Sequence, residues 1–294
     1  MSSKQWDAAL QVVNALEQNG YEAVIVGGAV RDKLLNRASN DVDVATEAIP
    51  EQVKQVFKNT VDVGIEHGTI LVVDCKPPVE VTTYRTESTY SDRRRPDQVQ
   101  FVRSLAEDLK RRDFTINAMA MKANNEVVDL YGGREDLEAS LIRAVGDASE
   151  RFSEDALRML RAARFRAQLG FVIEEKTLRA MQDKADYIQD IAMERVAQEL
   201  EKIFASSFPA LGIEAIAESD LESYLDGDFN AEDWHAVHNS SALQGWAYFH
   251  YLNPEVQILT RYKCSNKVKL FANRVGQLIE VPNANWDALT LFNY

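Results

Sequence analysis

Cysteine is nearly absent. Cys75 and Cys264 are the two in 294 residues, too few for a disulfide framework or a zinc site of the usual kind, and a reducing cytoplasm is the expected compartment. No apolar run approaches the ~18 residues needed to span a bilayer. The N-terminal stretch lacks the continuous apolar segment of a secretory signal, because Asp7, Gln11, Asn14 and Glu17 interrupt it. His67, His235, His238 and His250 form no spaced ligand set. Neither G-x-x-x-x-G-K-[ST] nor G-x-G-x-x-G occurs, which disfavours a P-loop or a dinucleotide fold. Basic residues are in the minority, 33 against 46 acidic, for a formal charge of −13.

That acidic total argues against a polyanionic partner only until its distribution is read. Residues 1–84 carry −5, residues 85–166 carry +1, residues 167–205 carry −3 and residues 206–294 carry −6. The near-neutral island holds 16 of the 33 Lys and Arg, clustered as Arg93-Arg94-Arg95, Lys110-Arg111-Arg112 and Arg158/Arg161/Arg164/Arg166. Any one cluster reads as a solvated surface, but three together point toward phosphate handling. With 46% hydrophobic and 27% charged residues, the chain is an ordinary globular one, and its length suggests two domains.

Apolar Trp6, Ala9, Leu10, Val13 and Leu16 predict a helix over 4–18. Ala23–Val26 is a short buried strand, broken at Gly27-Gly28 before a helix near Val30–Leu35. Asp41-Val42-Asp43-Val44 alternates as a half-buried strand, and a helix is expected over Pro50–Phe57. Thr69–Asp74 and Val79–Arg85 read as a hairpin joined around Lys76-Pro77-Pro78. Residues 86–98 lack periodicity and are expected to form a mobile loop. Phe114–Ala120 and Val127–Leu130 are the next ordered segments, and from about Ser153 the pattern is helical. Strands first and helices afterwards predict a segregated α+β fold.

On a strand, Asp41 and Asp43 project from one face while Val42 and Val44 enter the core. Two carboxylates about 7 Å apart repel unless a cation neutralises them, and Mg²⁺ takes one or two carboxylates plus substrate phosphates. An isolated D-x-D is more often a turn or a cap. Here Gly27-Gly28 precedes it, where backbone amides can approach a polyphosphate and the next helix adds its dipole. Arg31 either adds charge to the same phosphates or pairs with Asp32.

The run Gly27-Gly28-Ala29-Val30-Arg31-Asp32 followed by Asp41-x-Asp43-x-x-Thr46 resembles the metal-binding signature of class II tRNA nucleotidyltransferases and bacterial poly(A) polymerases. Arg111-Arg112-Asp113-Phe114-Thr115-Ile116-Asn117-Ala118-Met119-Ala120 is similar to that family's ribose and triphosphate motif. Asp129-Leu130-Tyr131-Gly132-Gly133-x-x-Asp136-Leu137 resembles its hinge between head and neck. Glu154-Asp155-Ala156-Leu157-Arg158 and Arg195-Val196-Ala197-Gln198-Glu199-Leu200 complete the series. The motifs stand in family order from residue 23 to about 204, and the chain most resembles the bacterial CCA-adding members.

The resemblance implies a mixed-sheet nucleotidyltransferase head over 1–145, a helical neck over 146–205 that reads the base, and a helical body over 206–294. Family members continue into a tail domain that grips the tRNA elbow, so a truncated or reduced tail is expected at Tyr294. The phosphohydrolase domain of some relatives is not expected. The implied activity is template-independent addition of C and A to the tRNA 3′ end from CTP and ATP, with Mg²⁺ on Asp41 and Asp43 and pyrophosphate as leaving group. Glu80, in a stretch resembling the family's E-V-T-T, is the candidate third carboxylate. Gly27, Gly28, Arg31, Arg111, Asp113 and Asn117 would hold phosphates and ribose. The loop Glu87–Pro96, with Asp92, Arg93, Arg94 and Arg95, resembles the element that members adding the terminal A possess; a merely solvated loop is the alternative.

The base-reading role that the resemblance implies for Glu154–Arg158 can be checked against elementary chemistry. With Ser153 as N-cap, a helix to about Leu169 would bury Ala156, Leu160, Ala163 and Ala167 and present Asp155, Arg158 and Ala162 on the opposite face. Arg158 can donate to the ring acceptor of cytosine or adenine, and Asp155 can accept from the exocyclic amine. Uracil and guanine reverse both groups, at roughly 1–3 kcal/mol per bidentate contact. Arg161 and Arg164 join the candidates; the bland alternative is an i,i+3 ion pair of about 0.2–0.5 kcal/mol. Trp234, Trp246, Phe249 and Tyr251 read as core or interface residues. A poly(A) polymerase, an enzyme adding only A, and a non-catalytic RNA-binding module are the rival readings. No membrane partner is expected, and the sequence leaves monomer and homodimer equally open.

Overall fold

The computed structural model describes residues 4–39, 41–64, 67–87, 99–238 and 240–279. It divides between Asp147 and Ala148 into two units. The loop residues Asp92, Arg93, Arg94 and Arg95 lie outside the described residues.

In the first unit, α1 (Lys4–Gln18) buries Trp6, Ala9, Val12, Val13 and Leu16 and lies over the sheet. There follow β1 (Ala23–Val26), α2 (Gly28–Leu34), β2 (Asp43–Thr46), α3 (Pro50–Val56), β3 (Thr60–Gly64), β4 (Thr69–Val72), β5 (Val79–Thr83), the hairpin strands β6 (Arg85–Glu87) and β7 (Val99–Phe101), α4 (Leu105–Lys110), β8 (Met119–Met121), β9 (Val127–Asp129) and α5 (Gly133–Glu138). Among the described residues one seven-stranded sheet forms in the order β3-β4-β5-β2-β1-β8-β9. β4 and β5 pair antiparallel, the hairpin expected around Lys76–Pro78, whereas β2 and β5 run parallel with Val44 opposite Val81. β2 begins two residues later than its alternation suggested, at Asp43. The edge strand β3 was not foreseen; Val61, Asp62 and Val63 are all exposed, so no buried face marks it in sequence.

Val24, Val26, Ala45 and Ala120 form one face of the sheet with Tyr84, and Leu109 of α4 closes it. Asp43 belongs to that face by the two-residue period, opposite Val26. The segment that builds the site is therefore the end of β1, the start of β2, the start of β5 and the approach to β8. These ends coincide because β1 is antiparallel to both of its neighbours.

The second unit is helical: α6 (Ala148–Glu154), α7 (Leu157–Leu169), α8 (Glu175–Asp183), α9 (Met193–Phe204), α10 (Pro209–Glu218), α11 (Ala242–Leu252), α12 (Ile258–Arg261) and α13 (Asn266–Ile279). α7 packs against α9 and α10. At Gly212 a Cβ would come within 2.8 Å of the Ala167 Cβ and 2.7 Å of Ile203, so the contact between α7, α9 and α10 needs glycine there. Phe204 stacks on Trp234 at 4.7 Å and meets Trp246 edge-on at 5.2 Å. Trp234, Trp246 and Phe249 are buried in this aromatic core, as their reading required, while Tyr251 is exposed.

Candidate functional site

Three carboxylates converge in the first unit. Val42 and Val44 are buried, while Asp41 and Asp43 face solvent on either side of Val42, the alternation the sequence implied. Because Val44 is level with Val81 in the parallel pair, Asp43 and Glu80 occupy equivalent positions one residue earlier, on the same face of adjacent strands. Asp43 retains solvent access but sits low among protein atoms. Burial, then the charges of Asp41 and Glu80, push its carboxyl from 3.8 up to about 6, against the opposing pull of Arg112. The group is short of positive charge. Among the described residues no three His, Cys, Asp or Glu side chains are placed to hold a metal ion by themselves. The donor set is two hard-oxygen carboxylates with a third beside them, which suits a cation whose shell is completed from elsewhere.

The glycine turn lies beside them. Gly27 has φ 73° and ψ −140°, a conformation that favours glycine. A Cβ there would also stand 2.9 Å from Nη1 of Arg112. Its carbonyl accepts from the amides of Val30 and Arg31 at 3.1 and 3.3 Å, and its own amide donates to Met119. Arg31 is buried; it pairs with Asp32 at 2.8 Å and donates from Nη1 to Oδ1 of Asn117 at 2.8 Å. Asn117 donates in turn to Asp113, whose Oδ1 also accepts from the amide of Phe114. Arg31, Asn117 and Asp113 thus form one connected network. Of the two roles open to Arg31, the ion pair with Asp32 is present in the fold.

The hinge-like motif supports this network from below. Asp129 accepts from the amides of Tyr131, Gly133 and Arg134. Asp136 accepts from the Thr115 hydroxyl at 2.6 Å and from Arg143, which fixes the turn Thr115–Asn117. Arg111 and Arg112 diverge from their shared sequence reading. Both pair with Asp108, Arg111 at 3.0 and 2.7 Å and Arg112 at 3.2 Å, but Arg112 also lies against Gly27. Sequence reasoning selected Arg111 and left Arg112 unassigned; their adjacency offers no signal, because only the folded position of Gly27 separates them.

In the second unit the segment Glu154–Arg158, expected to read the base, departs from its expected geometry. The helix does not run unbroken from Ser153. α6 ends at Glu154, α7 starts at Leu157, and Ser153 donates to the Ser149 carbonyl within the last turn of α6. Asp155 occupies the break and accepts from the amide of Leu157 at 3.1 Å. Ala162 and Arg158, both expected on an open face, are buried, Ala162 fully. Asp155 pairs with Arg195 at 3.1 Å and Arg158 with Glu154 at 2.6 Å, so the ion-pair partners of both lie outside the expected i,i+3 couple. Arg164 stands apart: its guanidinium lies 3.2 Å from the buried Glu199 and over the Phe165 ring, the setting of a structural ion pair. Arg161 is half-buried, 5.7 Å from the same ring.

Comparison with known proteins agrees with this architecture. Residues 23–143 match the poly A polymerase head domain, and residues 170–225 match the probable RNA- and SrmB-binding site of polymerase A. The CCA-adding enzyme of Lactiplantibacillus plantarum is 47% identical over 277 residues, covering 90% of this chain and 68% of its own length. That of Leuconostoc mesenteroides is 52% identical over 229 residues, and the match covers 78% of this chain and 57% of the relative. The crystal structure of the Bacillus stearothermophilus CCA-adding enzyme in complex with CTP superposes with a TM-score of 0.84 at 38% identity, covering all of this chain and 75% of that one. Among the described residues no helix is long and apolar enough to cross a membrane. On the shared head, the ordered motifs and identities near one half, the chain belongs to the CCA-adding enzymes, a family of nucleotidyltransferases.

Proposed function

We propose that this chain adds C and A to the 3′ end of tRNA, using CTP and ATP and releasing pyrophosphate, in the cytoplasm. The observation that carries the reading is the group Asp41, Asp43 and Glu80 beside the Gly27 turn and Arg112, a cation-hungry carboxylate set next to a backbone bend with a guanidinium over it. Asp41 and Asp43 would hold Mg²⁺, with nucleotide phosphates completing its shell. When bound, that ion lowers the pKa of a coordinated hydroxyl and offsets charge on the leaving group. Glu80 orients the tRNA 3′-hydroxyl. The hydroxyl oxygen attacks the α-phosphorus, the bond to the bridging oxygen of the β-phosphate breaks, pyrophosphate departs, and the hydroxyl proton passes through the carboxylate group to water. Arg112 and the Gly27–Gly28 backbone face the phosphates; Asp113 and Asn117 serve the ribose.

Residues 1–145 act as the catalytic head, 146–205 as the base-reading neck and 206–294 as the body. Arg158 and Asp155 select C and A over U and G. Glu154 and the Arg151 carbonyl orient Arg158, and Arg195 and the Leu157 amide orient Asp155. Arg161 lies along the same helix.

The test is incorporation of labelled CTP and ATP into tRNAs ending before CCA, after C and after CC. Stepwise addition of two C and one A, then arrest, is expected. Addition of A alone to the CC-ended substrate would make the chain an A-adding enzyme, an unlimited A tail would make it a poly(A) polymerase, and binding without incorporation would leave an RNA-binding module.

A further inference from the structure

The helix α4 carries two neighbouring acids with opposite fates. Glu107 is exposed, whereas Asp108 is about 1% exposed, held against the sheet by a helix that begins at the Ser104 cap. A buried carboxylate is costly unless donors surround it. Here Oδ1 accepts from Nε and Nη2 of Arg111 at 3.0 and 2.7 Å and from the Arg85 amide at 3.4 Å, and Oδ2 accepts from Nη2 of Arg112 at 3.2 Å. Arg112 has spare capacity on its other side. Its Nε is buried with no hydrogen-bond partner among the described residues, and Nη1 lies against Gly27.

We propose that Asp108 is a positioning residue of the nucleotide site: its buried carboxylate clamps Arg111 and Arg112 so that the Arg112 guanidinium is held over the Gly27 turn, facing the phosphates of the incoming nucleoside triphosphate. The role rests on reading the head as that site. The same carboxylate also accepts from the Arg85 amide at the start of β6, at 3.4 Å.

The sign of the effect separates positioning from simple charge. A carboxylate near a triphosphate repels it, so an Asp108 that acted only through its charge would make Asp108→Asn bind CTP more tightly. Positioning requires weaker binding. Equilibrium CTP binding by calorimetry and labelled-CTP incorporation are measured on the full chain for Asp108→Asn, Arg112→Ala and the double variant, with melting curves alongside. Each single change is expected to weaken CTP binding about tenfold, which is about 1.4 kcal/mol, chiefly in KM. The double variant should be within about twofold of Arg112→Ala, because Arg112 is the route by which the clamp acts on the phosphates. Tighter or unchanged binding in a folded Asp108→Asn, or an additive loss of about a hundredfold, overturns the role. Should Asp108→Asn not melt cooperatively, Asp108→Glu, which displaces the carboxylate by one methylene, enters the same cycle: a loss that disappears in the Arg112→Ala background supports the clamp, and wild-type affinity or additivity overturns it. A wild-type chain that neither binds nor incorporates CTP overturns the nucleotide-site reading itself, and this role with it.

Discussion

Asp43→Asn should stop nucleotide addition and at the same time stabilise the metal-free protein. The carboxyl lies among Asp41, Glu80 and protein atoms that together raise it from 3.8 to about 6, so its charged form is held unfavourably in the fold. Below pH 4 the group is protonated in folded and unfolded chains alike and contributes nothing. Between about 4 and 6 the folded chain keeps a proton that the unfolded chain has lost, so stability falls as pH rises through that window. Above 6 the full penalty is present. The difference between the two values caps it at about 3 kcal/mol; because the side chain reaches solvent, screening reduces this to about 1 kcal/mol. For a unit of this size that is about 3 °C in Tm.

Thermal melts of wild type and Asp43→Asn in chelator, at pH 4 and pH 8, measure this directly. The variant should match wild type at pH 4 and melt about 3 °C higher at pH 8. Mg²⁺ should raise the wild-type Tm and leave the variant nearly unmoved. The backbone pairing of Asp43 with Val26 is kept by Asn, so a variant that melts lower at pH 8 would show that the carboxylate is satisfied in the fold, and the argument for a cation there would fail. Near-normal turnover in Mg²⁺ would refute the metal role independently.

Arg158→Ala should raise KM for both CTP and ATP by an amount equivalent to about 1–3 kcal/mol and shrink discrimination against UTP and GTP; unchanged preference in competition assays would reduce Arg158 to a partner of Glu154. Arg164→Ala should do the opposite, costing about 1–3 kcal/mol of stability by leaving one oxygen of the buried Glu199 unpaired while Lys202 keeps the other, with nucleotide preference intact, which melts and the same competition assay read together. Deleting Ser88–Arg95 should leave CC addition largely intact and impair A addition, scored on tRNAs ending before CCA and after CC; equal loss of both steps would make the segment a general structural element.

Much of the sheet was legible because burial repeats with a period of two. Val42 and Val44 enter the core, so Asp41 and Asp43 could be placed on a common face before the fold was known. The hairpin Thr69–Val72 and Val79–Thr83 was legible from its turn. β3 was not, because an edge strand exposed on both faces leaves no alternation to read. The break at Asp155 was hidden for the reverse reason. Ala156, Leu157, Met159 and Leu160 are all buried, so the helical period continues across a point where the backbone does not, and an aspartate capping the Leu157 amide looks in sequence like any residue of the first turn.

The acids and cations of the site divide along the same physical line. A residue whose role is fixed by its own strand or turn, as Asp43 and Gly27 are, leaves a local pattern. A residue whose role is fixed by what reaches it from elsewhere does not. Glu107 and Asp108 are chemically alike and adjacent, yet Asp108 is buried beneath two guanidiniums; Arg111 and Arg112 are identical, yet Arg112 alone meets the Gly27 turn. Arg158 and Arg164 differ in the same way, since Glu199 approaches Arg164 from α9 and Glu154 meets Arg158 from the end of α6. Glu199 and the Gly27 turn reach their arginines across the fold, whereas Asp108 and Arg158 find charged partners within four residues and are set apart by their burial. Charge-bearing residues in this chain therefore acquire distinct functions from the third dimension, while the apolar alternation that carries them is written in the first.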